Sequence, residues 1–129
     1  MPDKDTLKRV AADKRAGKSV GSQAGEFVRE EIHHIREGKH GARSARQAIA
    51  IGLSKARRAG VKLPVSKRAS PKVKAQAARD AEKGKHPERK VNPRRSRAMK
   101  RALEKEPQVA ASHRALSRHA HEVADKRAP

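Results

Sequence analysis

The sequence predicts an all-α protein: a small N-terminal helical module, built of a leading helix and a helical hairpin, followed by a basic, partly disordered arm with short helices. Three observations carry this. Apolar residues in the first half recur at helical spacing, caps and stops punctuate the whole chain, and the second half has little to bury. Val, Ile, Leu and Phe total 19 of 129 residues, 12 of them within residues 1–64. That fraction, with a formal charge of +20, lies in the range of disorder-prone chains. The division falls near Leu63-Pro64. Residues 1–64 form the module, with net charge +8, residues 65–70 a linker, and 71–129 the arm; residues 65–129 together carry +12.

The first helix is expected over roughly Asp5 to Ala16, with Leu7, Val10 and Ala11 on one face and Gly17 as its stop. The second is expected to be capped by Ser22 and ended by Gly38. Its Ala24, Phe27, Val28, Ile32 and Ile35 stand at i, i+3, i+4, i+8 and i+11, the spacing of one buried face. The third begins at Ser44-Ala45-Arg46-Gln47, a capping box. Its stripe is Ala45, Ala48, Ile49, Gly52, Leu53 and Ala56, and Gly60 sits where a left-handed C-cap belongs. Two apolar stripes joined by six residues, Gly38 to Arg43, make a helical hairpin, and the small residues of the third helix permit close approach.

In the arm, Ser70-Pro71 and Asn92-Pro93 each place a cap residue before proline at the first helical position. They predict helices over about 71–83 and 93–105, with a third over 108–127. Gly84-Lys85-His86-Pro87 and Pro107 are the expected breaks. The apolar stripes there are thin (Val73, Ala77, Ala81; Ala98, Met99, Ala102, Leu103; Ala115, Leu116, Ala120, Val123). Helices of this length are marginal alone in water, so neutralisation by a polyanion is expected to complete them.

Charge points to the partner. Thirty-four Lys and Arg stand against fourteen Asp and Glu, with an isoelectric point near 11.4. Such a chain repels itself, and nucleic acid is the common cellular polyanion; each phosphate contacted releases condensed counterions. The candidate nucleic-acid-binding residues fall in four groups. Arg43 and Arg46 sit at the start of the third helix, where backbone amides also attract phosphate. Lys55, Arg57, Arg58 and Lys62 cluster at its other end, and Lys67 and Arg68 lie in the linker. Arg94, Arg95, Arg97, Lys100 and Arg101 are five charges in eight residues over the first turns of a helix, where cations oppose the dipole and repel one another.

Base-specific reading is disfavoured. A helix-turn-helix has a turn of about three or four residues, shorter than the six here. Only Gln47 on the third helix offers an amide for base edges. The sole aromatic, Phe27, lies on a core stripe and provides no stacking platform. The expected function is therefore sequence-tolerant binding of double-stranded DNA through phosphate neutralisation, in a nucleoid-associated or histone-like accessory role, with self-association left open. The alternatives are an RNA- or ribosome-associated basic protein, or a protein-interaction module using the second helix from Phe27 to Ile35.

Other classes are not expected. No cysteine is present, which removes disulfides, a thiolate nucleophile and cysteine zinc sites. Nothing marks a nucleophile elbow or a phosphate-cradling loop, so no enzyme activity, small-molecule substrate or cofactor is expected. Glu30, His34 and Glu37 share a helical face, and Glu30-x-x-His33 and Glu31-x-x-His34 mimic the carboxylate–histidine pairs of di-metal bundles. Helices one and three supply no matching set, so the stretch is read as an acidic face with exposed histidines in i, i+4 pairs, without metal. The start Met1-Pro2-Asp3-Lys4-Asp5 has no apolar signal. The longest uncharged run, Gln47 to Ser54, is far short of a membrane span. A cytoplasmic protein is expected.

The segments QAGEFVREEIHHIREGKHGARS (Gln23 to Ser44) and QAIAIGLSKARRAG (Gln47 to Gly60) resemble a group of small basic bacterial proteins of unknown function, often labelled DNA-binding. RRSRAMKRALEKEP and AASHRALSRHA in the second half resemble the group's Arg-, Lys- and Ala-rich tail more loosely. The resemblance implies a bacterial, cytoplasmic protein.

Overall fold

A computed structural model describes residues 2–127, and every regular element in it is helical. In chain order these are α1 (Lys4–Arg15), α2 (Val20–Arg36), α3 (Ala45–Arg58), α4 (Pro71–Lys85), α5 (Pro93–Glu104), a short 3₁₀ turn (Val109–Ala111) and α6 (His113–Arg127). The all-α expectation holds. Among the described residues no helix is long and apolar enough to cross a membrane.

The helix ends follow their local chemistry. Gly17, Gly38 and Gly60 all have positive φ (74°, 82° and 99°), and each is followed by a backbone bond back across the last turn. After α2, for example, Gly38 N–H donates to Ile35 O at 3.1 Å and Lys39 N–H to His34 O at 3.0 Å. Only a residue without Cβ enters that left-handed conformation freely. At the other ends, Ser70 Oγ accepts from Val73 N–H at 3.3 Å and Asn92 Oδ1 accepts from Arg94 and Arg95 N–H at 3.0 and 3.3 Å. Two starts differ from expectation. The cap of α2 is Ser19, whose Oγ accepts from Ser22 N–H at 3.2 Å, so the helix begins one turn before Ser22. Ser112 opens a new helix at α6 by accepting from Ala115 N–H at 3.1 Å, splitting the segment expected to run unbroken over 108–127.

The chain forms two compact units, each drawing on both halves of the sequence: Met1–Glu30 with Ile51–Lys90, and Glu31–Ala50 with Val91–Pro129. Helices α2 and α3 each contribute residues to both.

In the first unit, Ala24, Phe27, Ala56 and Val61 are buried, with Val10, Leu53 and Leu63 packed on them. Gly52 of α3 lies so close to α2 that a Cβ there would come within 2.6 Å of Val28 Cα. Helix α1 is rotated from the expected face: Val10 packs on this core as expected, but Thr6 and Asp13 are buried, whereas Leu7 is 44% exposed. Polar contacts account for the rotation. Arg9 reaches both Glu26 at 2.9 Å and Thr6 Oγ1 at 3.3 Å, Asp13 pairs with Lys18 at 3.3 Å, and Asp3 N–H donates to the Glu30 carboxylate.

Helix α4 is held by Asp80, which is 1% exposed. Its carboxylate accepts from Ser54 Oγ at 2.7 Å, Arg58 Nε at 2.9 Å and Gln76 Nε2 at 3.1 Å. The helix ends at Lys85, within the expected Gly84–Pro87 break, so Gly84 falls in its last turn. A Cβ at Gly84 would stand 2.2 Å from the Arg57 carbonyl oxygen, so this glycine serves close approach.

The second unit has a core of Ile35, Ala42, Ala48, Ala110 and Ala111, with Ile32 against it. Four of those five residues are alanine, so backbone lies close to backbone. Gly41 N–H donates to Leu103 O at 2.7 Å and Ala42 N–H to Pro107 O at 3.0 Å. A Cβ on Gly41 would meet Glu106 O at 1.9 Å, and Arg36 Nε donates to Ala111 O at 2.9 Å. Helix α5 buries none of its residues.

Two substitutions test this packing. Asp80→Ala removes a charged acceptor from three donors and is expected to lower unfolding free energy by about 2–4 kcal/mol in urea denaturation. A loss under about 0.5 kcal/mol contradicts the account. Gly52→Ala tests sign. Helix propensity alone predicts a gain of about 1 kcal/mol, whereas the close approach to the Val28 backbone predicts a net loss of about 1–2 kcal/mol.

Candidate nucleic-acid interface

The cations of this chain divide by what they face. In the first unit several are held by the protein itself. Lys55 Nζ lies 3.5 Å from Glu30 Oε2, and Arg58 is fixed on Asp80. Arg57 Nε and Nη2 donate to the Leu63 and Pro64 carbonyls, both at 3.2 Å, closing the end of α3. These three were expected to contact phosphate, and their side chains also serve the fold. Lys62, Lys67 and Arg68 are exposed.

In the second unit the arginines are arranged differently. Arg43 and Arg46, at the start of α3, line a cleft of about 410 Å³ together with Arg114, Arg118 and His119 from α6. All four arginines are exposed, and none of their side chains is in an ion pair with a described residue. Glu122 supplies an acid on the wall, and Ala45 and Ala110 are among the apolar lining. Both caps open here: Ser44 Oγ accepts from Gln47 N–H at 3.1 Å, and Ser112 caps α6. Gln47 completes the expected capping box with a shift of one residue, since its Oε1 accepts from Arg43 N–H at 2.6 Å.

Two helix N-termini thus lie at one concave surface, where partial positive charge adds to four guanidinium groups. Neither α3 nor α6 has an acid in its first turn. Arginines so placed oppose the dipoles and repel one another, and an anion in the cleft relieves both effects. Arg114 and Arg118 escaped the sequence reading. Their signal was nevertheless present: Ser112-x-Arg114 repeats the cap-x-arginine pattern of Ser44-x-Arg46.

Helix α5 carries Arg94, Arg95, Arg97, Lys100 and Arg101 with every residue from 93 to 102 exposed. It too lacks a first-turn acid, and none of the five side chains forms an ion pair with a described residue.

The histidine-rich end of α2 corrects one expectation. His33 is exposed and lies 3.9 Å from Glu37, an i, i+4 pair as expected. Glu31 and His34 instead turn inward, with side-chain exposures of 1% and 12%. His40 joins them: its Nε2 lies 3.1 Å from Glu31 Oε2, and its Nδ1 is 2.9 Å from the Gly41 carbonyl oxygen. Glu30 is buried as well. Glu30 and Glu31 of the expected acidic face are therefore interior, while His33 and Glu37 stay exposed.

The fold and these surfaces define a small basic helical protein whose cations are partly structural and partly exposed without internal partners. Residues 12–68 match a family of unknown function, DUF6496, a span that includes α2, α3, Arg43 and Arg46 and stops short of α4. No curated protein matches the chain, and no solved structure does.

The division predicts stability effects. Arg58→Ala leaves the buried Asp80 without its cation and is expected to cost about 1–3 kcal/mol. Arg114→Ala and Arg118→Ala are expected to change stability by less than about 0.5 kcal/mol. Thermal or urea unfolding of the three variants checks this, and equal losses in all three contradict it.

Proposed function

We propose that this protein binds the phosphate backbone of double-stranded DNA with little regard to sequence, as a nucleoid-associated accessory factor. The observation that supports this best is the arginine cleft at the starts of α3 and α6, with the exposed basic helix α5 as a second contact. Both present cations that form no ion pair with a described acid, and Glu122 is the one carboxylate among the residues lining the cleft. Phosphate contacts of this kind position a protein on a duplex and carry no base information. The residues assigned to the contact are Arg43, Arg46, Arg114 and Arg118 in the cleft and Arg94, Arg95, Arg97, Lys100 and Arg101 on α5.

The alternative use of α2 as a docking surface has less room. Phe27 and Ile35 are fully buried, and Ile32 packs on the second core. A partner on that face would have to displace the protein's own interior.

Binding to random-sequence duplex across a salt series tests the proposal by fluorescence anisotropy. With about six to ten phosphates engaged, affinity falls by ~10³–10⁵ between 50 and 200 mM salt. The combined change Arg94→Ala, Arg95→Ala and Arg97→Ala is expected to reduce the slope of log K against log salt by about 2–3. Arg43→Ala with Arg114→Ala is expected to reduce it by about 2. Weak binding near physiological salt, or slopes unchanged in both variants, contradicts the proposal. Structured RNA that displaces duplex DNA at equal phosphate concentration moves the assignment to RNA.

A further inference from the structure

We infer that Glu31, His34 and His40 form a binding site for one divalent transition-metal ion, with Zn²⁺ the expected occupant. The three residues each offer a ligand atom, and those atoms lie within 4.8 Å of one another. Glu31 and His34 stand three residues apart on the last turns of α2, hence on one face. His40 is brought to them by the turn that Gly38 makes with φ of 82°. Two imidazoles and one carboxylate are a donor set that suits Zn²⁺, leaving a fourth tetrahedral position for water.

The surroundings favour a cation at this point. Glu31 carries a carboxylate at 1% side-chain exposure, where attraction to a nearby cation is little screened by water. A carbonyl oxygen only accepts, so the 2.9 Å contact of His40 Nδ1 with Gly41 O, taken as a hydrogen bond, assigns the proton to Nδ1. In that tautomer Nε2 presents a lone pair towards Glu31 Oε2, 3.1 Å away. A lone pair and a carboxylate oxygen repel at that distance, and a metal ion or a second proton between them relieves the repulsion. Ligands of a tetrahedral zinc at ~2.0–2.1 Å stand about 3.3 Å apart; His40 Nε2 meets that spacing from Glu31, while His34 Nδ1, at 3.9 Å from Glu31 Oε1, would draw in on binding. A histidine donating Nδ1–H to a backbone carbonyl while its Nε2 faces the ion is the usual outer-shell support of such sites.

That support is itself rigid. Gly41 is buried, its N–H is held by Leu103 O, and no side chain fits at its Cα. The ion would clip the end of α2 to the loop that reaches Arg43 three residues later. This site does not depend on the nucleic-acid reading, and it is tested without nucleic acid.

The full-length protein, stripped with chelator, is titrated with Zn²⁺ against a chromophoric competitor, and separately with Co²⁺ under visible absorption. The expected results are saturation at one ion per chain, the intense d–d bands of four-coordinate cobalt, and a higher melting temperature with Zn²⁺. His34→Gln and His40→Gln are each expected to weaken binding at least about tenfold, with circular dichroism showing intact helices. His86→Gln and His121→Gln leave it unchanged. Should the site variants lose their helices, Glu31→Gln, which keeps size and hydrogen bonding, provides the same comparison. No saturable binding at one ion per chain, or affinity unaltered in the site variants, overturns the proposal.

Discussion

Fourteen carboxylates cannot neutralise thirty-four cations, so their placement governs the rest of this structure. Asp13, Glu30, Glu31 and Asp80 are buried, an unusual location for acids. Each organises a junction that the sparse apolar residues could not make alone. Asp80 gathers Ser54, Arg58 and Gln76 and so holds α4 on α3. Glu30 takes the backbone N–H of Asp3 and the ammonium of Lys55, tying the start of the chain and the end of α3 to α2. Cores made largely of alanine bury little apolar area per residue. Charged hydrogen bonds and close backbone contacts at Gly41, Gly52 and Gly84 supply the geometric definition that bulky side chains provide elsewhere.

Committing these acids to the interior leaves many surface cations without internal partners. They are not spread evenly with respect to the helices. Arg46, Arg94, Arg95 and Arg114 all fall in first turns, where the macrodipole disfavours positive charge. A chain under selection for stability alone would place Asp or Glu there, and α3, α5 and α6 have none. The local cost is offset when a polyanion lies across those termini, because the same amides and guanidinium groups then face phosphate. The arrangement links the composition of the chain to its proposed role without requiring a single base contact.

Much of the helical plan was legible in the sequence, because caps and stops are local chemistry. Ser44, Ser70, Asn92 and the three helix-ending glycines act where their residue types place them. The stripe from Ala24 to Ile35 announced the buried face of α2. What escaped notice depends on tertiary neighbours. Leu7 looked more suitable for burial than Thr6, but Arg9 and Glu26 set the rotation of α1. Gly84 falls in the expected break, but only the Arg57 carbonyl beside it shows why a glycine is needed there. Ala110 and Ala111 carry no apolar signal strong enough to mark a core. At the candidate site, Arg43, Arg46 and the α5 cluster were visible as charge, whereas Arg114 and Arg118 join them only through folding of α6 against the start of α3. Glu31 and His34 looked like solvated polar residues because nothing local reveals that His40 turns back on them.

The central claim is that the arginines separate into those held by buried acids or carbonyls and those left for phosphate. Arginine side-chain Nε–H resonances, followed by NMR while a short random-sequence duplex is added, test it most directly. The account predicts large shifts and slowed exchange for Arg43, Arg46, Arg94, Arg95, Arg97, Arg114 and Arg118, with Arg9, Arg57 and Arg58 nearly unmoved. Shifts spread evenly over all arginines, or concentrated on Arg57 and Arg58, would contradict it.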